Sequence, residues 1–233
     1  MTVMQRENHQ IRQEELIIQR ALRRSRPNSL IEFRDRALLP VCYEATCPIE
    51  KLRMVSVRDN GAIIAAKVNC AAGRTTCRNT LNLDGKPHIL FDTSSKRLFI
   101  WMKKLSASGY VLSPYSKIFP ALHSNGKSAF KRQLGRTTAS AIFERYLGDT
   151  GLKRGGFAGL RRAGVAHQLF WGLHPEAVFA VFGYSHIRSI HRIAEEYELE
   201  IATKGSNPFR QISSRHYLLH AHGFSKLVTH RFS

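Results

Sequence analysis

The feature that most constrains this chain is a pair of short, mostly apolar helical patterns within residues 159–193, each followed by a glycine. The first pattern covers residues 160–170 and precedes Gly172; the second begins at Pro175 and precedes Gly183. Proline is favoured in the first turn of a helix and glycine just past its end. The spacing therefore predicts two consecutive helices joined by a short turn.

Apolar periodicity and helix breakers predict further helices elsewhere in the chain, which would then be mainly α. An amphipathic pattern covers residues 10–26 and ends at the sequence RPNS. Pro48 suits the start of another helix. The remaining predicted helices cover residues 30–43, 49–55, 94–106 and 128–148, and the second of the opening pair ends at residue 182.

Three sequence blocks lie upstream of the opening stretch. They read RDRALL at residues 34–39, YEATCPIEKL at residues 43–52 and DNG at residues 59–61. Together with Leu160-Arg161 and Gly183-Tyr184, these blocks resemble the catalytic domain of the tyrosine recombinase (phage integrase) family over residues 30–197. The family motifs concerned are its opening helix, its Thr-Gly-Leu-Arg-Ile-Ser-Glu-Leu box, the Asp before its first strand, and its His-x-x-Arg and Gly-His motifs.

The resemblance implies a mainly α fold with a small antiparallel β-sheet, as in the catalytic domain of the tyrosine recombinases. Residues 62–68 and 75–83 correspond to a hairpin whose turn carries the catalytic lysine of the family, and Arg74 occupies about that place.

Of the six catalytic positions that the resemblance implies, only Arg161 matches outright. Arg74 replaces the lysine, and Tyr184 stands where histidine or tryptophan is usual. Three positions are lost, because Pro48 replaces the first arginine, Ala158 replaces the histidine, and Ile193 replaces the nucleophilic tyrosine.

These replacements remove separate parts of phosphoryl transfer, which needs cations on the non-bridging oxygens, an acid for the leaving group and an in-line nucleophile. Isoleucine cannot attack phosphorus, and an arginine that stays protonated to about pH 12 is a poor proton donor. We therefore expect no conventional strand cleavage.

The cations and the aromatic at these positions remain candidates for DNA phosphate binding. They are Arg161, Arg162, Arg74 and Tyr184. Simpler roles stay open for three of them: an acidic neighbour for Arg161, an exposed turn for Arg74, and aromatic packing for Tyr184.

Tyr197 is a candidate displaced nucleophile, because it follows Ile193 by four residues and lies on nearly the same face of a continuous helix. Glutamates at positions 195, 196, 198 and 200 argue against this role, since carboxylates repel phosphate and raise the pKa of tyrosine. His186 and His191 also flank Ile193, and surface histidines are usually inert.

The charge of the chain favours a nucleic-acid partner. Lys and Arg number 36 against 17 Asp and Glu, for a net charge of +19. Residues 117–162 hold ten Lys or Arg against Glu144 and Asp149, and no acidic residue follows Glu200. Such segments bind a phosphate backbone by charge and counterion release, so we expect double-stranded DNA as the partner.

The sequence predicts three segments: an N-terminal helix and linker (residues 1–29), a recombinase-like domain (residues 30–200) and a basic C-terminal tail (residues 201–233). No apolar run approaches a membrane span and the N-terminus lacks a signal-peptide core, so we expect a cytoplasmic protein associated with a bacterial nucleoid or plasmid. Metal and cofactor are not expected, because Cys42, Cys47, Cys70 and Cys77 lack CxxC pairing.

Two main functional hypotheses follow. The first is a catalytically inactive DNA-binding protein on a recombinase fold, acting in DNA transfer, recombination or regulation of a mobile element, with a relaxase or relaxase accessory at a transfer origin as its specific form. The second is an active, atypical recombinase or nicking enzyme that uses Tyr197. A protein that binds no nucleic acid is disfavoured by the charge. Self-association or a second DNA-processing protein would supply the missing half of a DNA clamp.

Overall fold

The computed structural model describes residues 3–23, 27–57, 79–83, 86–90, 92–123, 125–126, 129–152, 155–171, 173–181 and 184–199. Within these ranges the protein is mainly helical, with two small antiparallel hairpins. The predicted fold class is confirmed. The division into three segments at residues 29 and 200 stays a prediction.

The described part of the chain contains eight α-helices, one short 3₁₀-helix (Gly148–Thr150) and four strands. The helices are α1 (Val3–Arg23), α2 (Leu30–Glu44), α3 (Ile49–Met54), α4 (Asp92–Ala107), α5 (Arg136–Leu147), α6 (Gly156–Phe170), α7 (Pro175–Val181) and α8 (Arg188–Glu196). The strands are β1 (Asn79–Leu83), β2 (Lys86–Leu90), β3 (Pro120–Leu122) and β4 (Ala129–Gln133).

Helices α1 and α6 begin earlier than predicted, at Val3 rather than residue 10 and at Gly156 rather than residue 160, and another helix begins later than predicted. Residues 129–133, expected to be helical, form strand β4, which pairs antiparallel with β3 through Pro120 opposite Gln133 and Leu122 opposite Ala129. The helix begins only after Gly135, which has an extended backbone. Strand β4 forms its hydrogen bonds with β3, which lies several residues upstream. A local helical pattern carries no information about such a pairing partner.

The other hairpin lies only partly where the sequence predicted it. The end of the expected strand 75–83 forms β1, which pairs with β2 from Asn79 opposite Leu90 to Leu83 opposite Lys86. Strand β2 was not predicted. Residues 62–68 and Arg74 lie outside the described residues.

The core is built around α2, which packs against α4 and α6. Trp101 of α4 and Phe119 are fully buried there, and the Trp101 indole donates a hydrogen bond to the carbonyl of Ile118 at 2.7 Å. Gly164 of α6 faces the backbone of α2 so closely that a Cβ atom would stand 2.1 Å from the carbonyl oxygen of Tyr43. The two helices therefore meet at a contact that only glycine permits.

Helix α1 packs across both apolar clusters of the described fold. Ile18 and Leu22 are buried in the main core, whereas Ile11 belongs to a second cluster formed with residues of α6, α7 and α8. Glu15 of α1 accepts a hydrogen bond from the Trp171 indole at 2.9 Å. This helix therefore connects the main core with the C-terminal helices.

Candidate nucleic-acid interface

Arg161 is held by the loop between α2 and α3. The close approach at Gly164 brings α6 against the end of α2, and the Arg161 Nε atom donates a hydrogen bond to the carbonyl oxygen of Thr46 at 2.6 Å. Thr46 is fully buried and has a φ of 47°, a backbone conformation that β-branched residues rarely adopt. This unusual backbone is part of the contact that fixes Arg161.

The face of the Arg161 guanidinium lies on an aromatic ring. Its central carbon is 4.0 Å from the centroid of the Tyr184 ring, which is nearly buried. Burial raises the pKa of Tyr184, and the nearby charges of Arg161 and Arg162 act in the opposite direction. The structure thus brings together two residues that the sequence placed in one site, and the phenol stays neutral near pH 7.

Arg161 has no carboxylate partner among the residues that the structure describes; its contacts there are the Thr46 carbonyl and the Tyr184 ring. The expected alternative of an acidic neighbour is therefore not seen in that part of the chain. Arg161 is partly exposed as a residue, and its Nε donor is already used by Thr46, so an anion would be bound through the terminal N–H groups.

Arg162 is directed towards α8 instead. Its Nη2 atom forms an ion pair with Glu196, and both side chains are largely buried. This pair ties α6 to the end of α8. The phosphate-binding role expected for Arg162 stays a prediction, and the Arg161 and Arg162 side chains have different protein partners.

The three positions at which the resemblance implies a lost catalytic residue lie in different surroundings. Pro48 is the N-cap of α3, and its carbonyl accepts hydrogen bonds from the backbone N–H groups of Lys51 and Leu52, as expected for a helix start. Ala158 is exposed in the first turn of α6. Ile193 is buried at 1% exposure in the cluster that also contains Tyr184. None of them supplies a group for phosphoryl transfer.

Tyr197 caps the end of α8 and is itself buried, with 4% exposure. Its hydroxyl donates a hydrogen bond to Glu14 of α1 at 3.4 Å. Burial raises the pKa of Tyr197, and the charge and hydrogen bond of Glu14 raise it further. A buried phenol with a raised pKa is poorly suited to attack a phosphate. His186 is exposed and His191 is half-buried.

The β1–β2 hairpin provides a cation that the sequence analysis did not single out. The register pairs Leu83, the last residue of β1, with Lys86, the first residue of β2. The resemblance implies a lysine at a hairpin turn of this sheet. Lys86 occupies such a position, whereas the candidate chosen from the sequence, Arg74, lies outside the described residues.

Metal binding has no support in the described ranges, where no three His, Cys, Asp or Glu side chains form a group that could hold an ion. Cys42 and Cys47 are buried free thiols whose pKa values are raised by burial. Cys70 and Cys77 lie outside the described ranges. Among the helices that the structure describes, none combines the length and apolar character needed to cross a membrane.

Comparison with solved structures identifies the fold. The XerH site-specific recombinase bound to palindromic difH substrate, in a post-cleavage complex, aligns with a TM-score of 0.56 and 11% identity. Its pre-cleavage complex with difH substrate aligns with a TM-score of 0.54 and 12% identity. The fold is that of a tyrosine-recombinase catalytic domain. At these identities the likeness shows the fold alone.

The alignments cover 80% of this chain and 49% or 48% of the recombinase chains, so this chain spans about half the length of the recombinases it matches. No protein-family model and no curated protein matches the sequence.

Proposed function

We propose that this protein binds double-stranded DNA through phosphate contacts centred on Arg161. The observation that supports this most is the arrangement of the Arg161 guanidinium, which rests on the Tyr184 ring and is tied to the Thr46 carbonyl. An arginine oriented in this way presents a planar pair of N–H donors to a phosphate with little further loss of side-chain freedom.

The charge and the fold support the same partner. A net charge of +19 attracts a polyanion, and the fold matches recombinases that were solved with bound difH substrate. Arg74 and Arg162 remain proposed phosphate contacts, whereas Tyr184 contributes by positioning Arg161. Lys86 is a further proposed contact because it is the first residue of β2, opposite the last residue of β1.

We propose further that the protein does not cleave DNA strands. Ile193, at the position of the family's nucleophile, is an aliphatic core residue, and Pro48 and Ala158 offer no substitute for the missing arginine and histidine. Tyr197, the displaced candidate, is buried against Glu14. The alternative of an active, atypical nicking enzyme would require Tyr197 to leave this contact.

We place the DNA-binding role in recombination, DNA transfer or regulation of a mobile element. The fold likeness to site-specific recombinases supports the first of these settings. A role as relaxase or relaxase accessory at a transfer origin rests on the sequence resemblance, and self-association or a second DNA-processing protein would complete a clamp around the duplex.

Two assays on the full chain test this proposal. In a gel-shift assay, a mixed-sequence duplex should be bound, and loss of binding should accompany rising salt. In a suicide-substrate assay with nicked duplexes, the wild-type protein should form no covalent adduct. An adduct that disappears in Tyr197→Phe, but persists in Tyr146→Phe, would show a displaced nucleophile and overturn the inactive assignment.

A further inference from the structure

A second group of cations lies on β4 and the start of α5, separate from Arg161. Lys131 and Arg132 of β4 are exposed, and the Arg136 side chain at the start of α5 is 80% exposed. Glu50 of α3 lies beside this group, with its Oε2 atom 3.4 Å from Nε of Arg136. The same Oε2 atom of Glu50 also contacts a second arginine.

That second partner is Arg53, whose side chain is buried. Its Nη1 atom donates to the same Glu50 oxygen at 2.6 Å, and its Nε atom donates to the carbonyl of Leu134 at 2.6 Å. The shorter contact and the buried guanidinium fix Glu50 in place. Since one carboxylate faces two guanidinium groups, the cluster keeps a net positive charge, and Arg136 holds the weaker and more exposed of the two pairs.

Exposed ion pairs of this kind contribute little, in the range of about 0–1 kcal/mol. A phosphate that approaches Arg136 therefore competes with a weak partner. We infer that Arg136 forms part of a second phosphate-contact surface, and that Glu50 lowers the affinity of this surface by occupying Arg136 when no DNA is bound. This inference rests on the proposed DNA-binding function.

Helix α3 connects this surface with the Arg161 site. The Thr46 carbonyl binds Arg161, Pro48 begins α3, and Glu50 lies in its first turn. The Cα atoms of Thr46 and Glu50 are four residues apart, so their separation is at most about 14 Å. The two positions therefore lie closer together than one helical turn of duplex DNA, which is about 34 Å long.

The test compares matched variants of the full chain on a mixed-sequence 30-base-pair duplex, by fluorescence anisotropy at several salt concentrations. Glu50→Gln should tighten binding about threefold and steepen the salt dependence, because it frees Arg136. Its amide oxygen can still accept a hydrogen bond from Arg53. Glu144→Gln makes the same charge change two turns along α5 from Arg136, and no ion pair is seen for Glu144 in the described structure; it should have little effect.

Arg136→Ala should weaken binding about fivefold, and in this background Glu50→Gln should lose its benefit. Because Arg136 is exposed, this variant tests the surface even if Glu50→Gln does not fold. Equal effects of Glu50→Gln and Glu144→Gln, or an unchanged affinity in Arg136→Ala, would overturn the inference while leaving the proposed function intact. An Arg136→Ala effect on binding to polyglutamate and not to duplex would assign the surface to acidic proteins. Absence of duplex binding by the wild type would overturn both.

Discussion

The guanidinium of Arg161 stacks on the ring of Tyr184 at 4.0 Å, across 23 residues of sequence. Cation–π contacts of this type are worth about 0.5–2 kcal/mol, and they are stronger where water is excluded. The nearly buried ring provides such a surface, and the Thr46 carbonyl holds the guanidinium from its Nε side. Tyr184 thus acts as a platform that positions Arg161.

Tyr184 variants distinguish this platform from a direct hydroxyl contact with phosphate. Tyr184→Phe keeps the ring and should bind duplex DNA within about twofold of the wild type. Tyr184→Leu removes the stacking surface and should weaken binding about tenfold, consistent with a loss of about 1.4 kcal/mol. Circular dichroism and thermal unfolding would identify any loss of folding. If both variants weakened binding equally, the hydroxyl would be the important group.

A tyrosine placed at position 193, where the resemblance implies the nucleophile of the family, should not create strand cleavage. Ile193 is 1% exposed, so Ile193→Tyr must place a larger, polar side chain in the core, at a cost of about 1–3 kcal/mol. The arginine and the histidine that the resemblance implies at positions 48 and 158 would still be missing, and catalytic groups act as a unit. We expect a lower unfolding temperature and no covalent adduct on nicked duplexes, with Ile193→Val as the conservative control. Efficient adduct formation by Ile193→Tyr would contradict this prediction.

Local sequence patterns predicted most of the helices, because periodicity, prolines and glycines act over a few residues. They failed at residues 129–133, where pairing with β3 decides the structure. The resemblance to the recombinase family also placed Arg161 and Tyr184 in one site, and the structure brings the two side chains together. The hydrogen bond that holds Arg161 could not be predicted from the sequence, because Thr46 accepts it with its backbone carbonyl rather than its side chain.

Two other features of the site depend on long-range packing. Glu14 meets Tyr197 across 183 residues, which no local pattern encodes. The position of Lys86 opposite the end of β1 could be recognised only from the register of β1 and β2. The sequence alone did not show why residue 164 is glycine. The reason is the backbone of α2, which leaves no room for a Cβ atom at this position.

Gly164→Ala should destabilise the fold although alanine favours helices. The added Cβ atom would stand 2.1 Å from the Tyr43 carbonyl oxygen, which is backbone and cannot turn aside. Displacing α6 from α2 should cost on the order of 3 kcal/mol, more than the roughly 1 kcal/mol that alanine gains in helix propensity. Gly155→Ala is the control, since nothing lies within 4 Å of its Cβ position. Chemical denaturation that finds both variants equally stable would argue against the close contact.

Because His167 is buried, we expect the free energy of unfolding to fall as the pH is lowered. Burial lowers its pKa from 6.5 to about 3 in the folded protein, and its Nδ1 atom lies 2.6 Å from the Tyr43 hydroxyl. Between these pH values the unfolded chain binds the proton and the folded chain does not. The contribution of neutral His167 to the free energy of unfolding is therefore complete above pH 6.5. It falls by about 1.4 kcal/mol per pH unit as the pH is lowered towards 3.

Urea denaturation at pH 7, 6, 5 and 4 measures this contribution as the difference between the wild type and His167→Gln. Other groups also bind protons in acid, and burial raises the pKa of Asp35 among them, but these groups are common to both proteins. The wild type should lose stability more steeply with acid than the variant. Parallel pH profiles would show that His167 is not a buried neutral histidine.

The salt dependence of duplex binding by the wild type and Arg161→Ala tests the central claim most directly. If about six phosphates are neutralised, affinity should fall on the order of a thousandfold over a fourfold rise in salt. Arg161→Ala should weaken binding by about 1–3 kcal/mol and reduce the slope by about one phosphate, whereas Lys103→Ala, an equal loss of charge on α4, should have a smaller effect. A flat salt response, or a folded Arg161→Ala that binds as tightly as the wild type, would contradict the account.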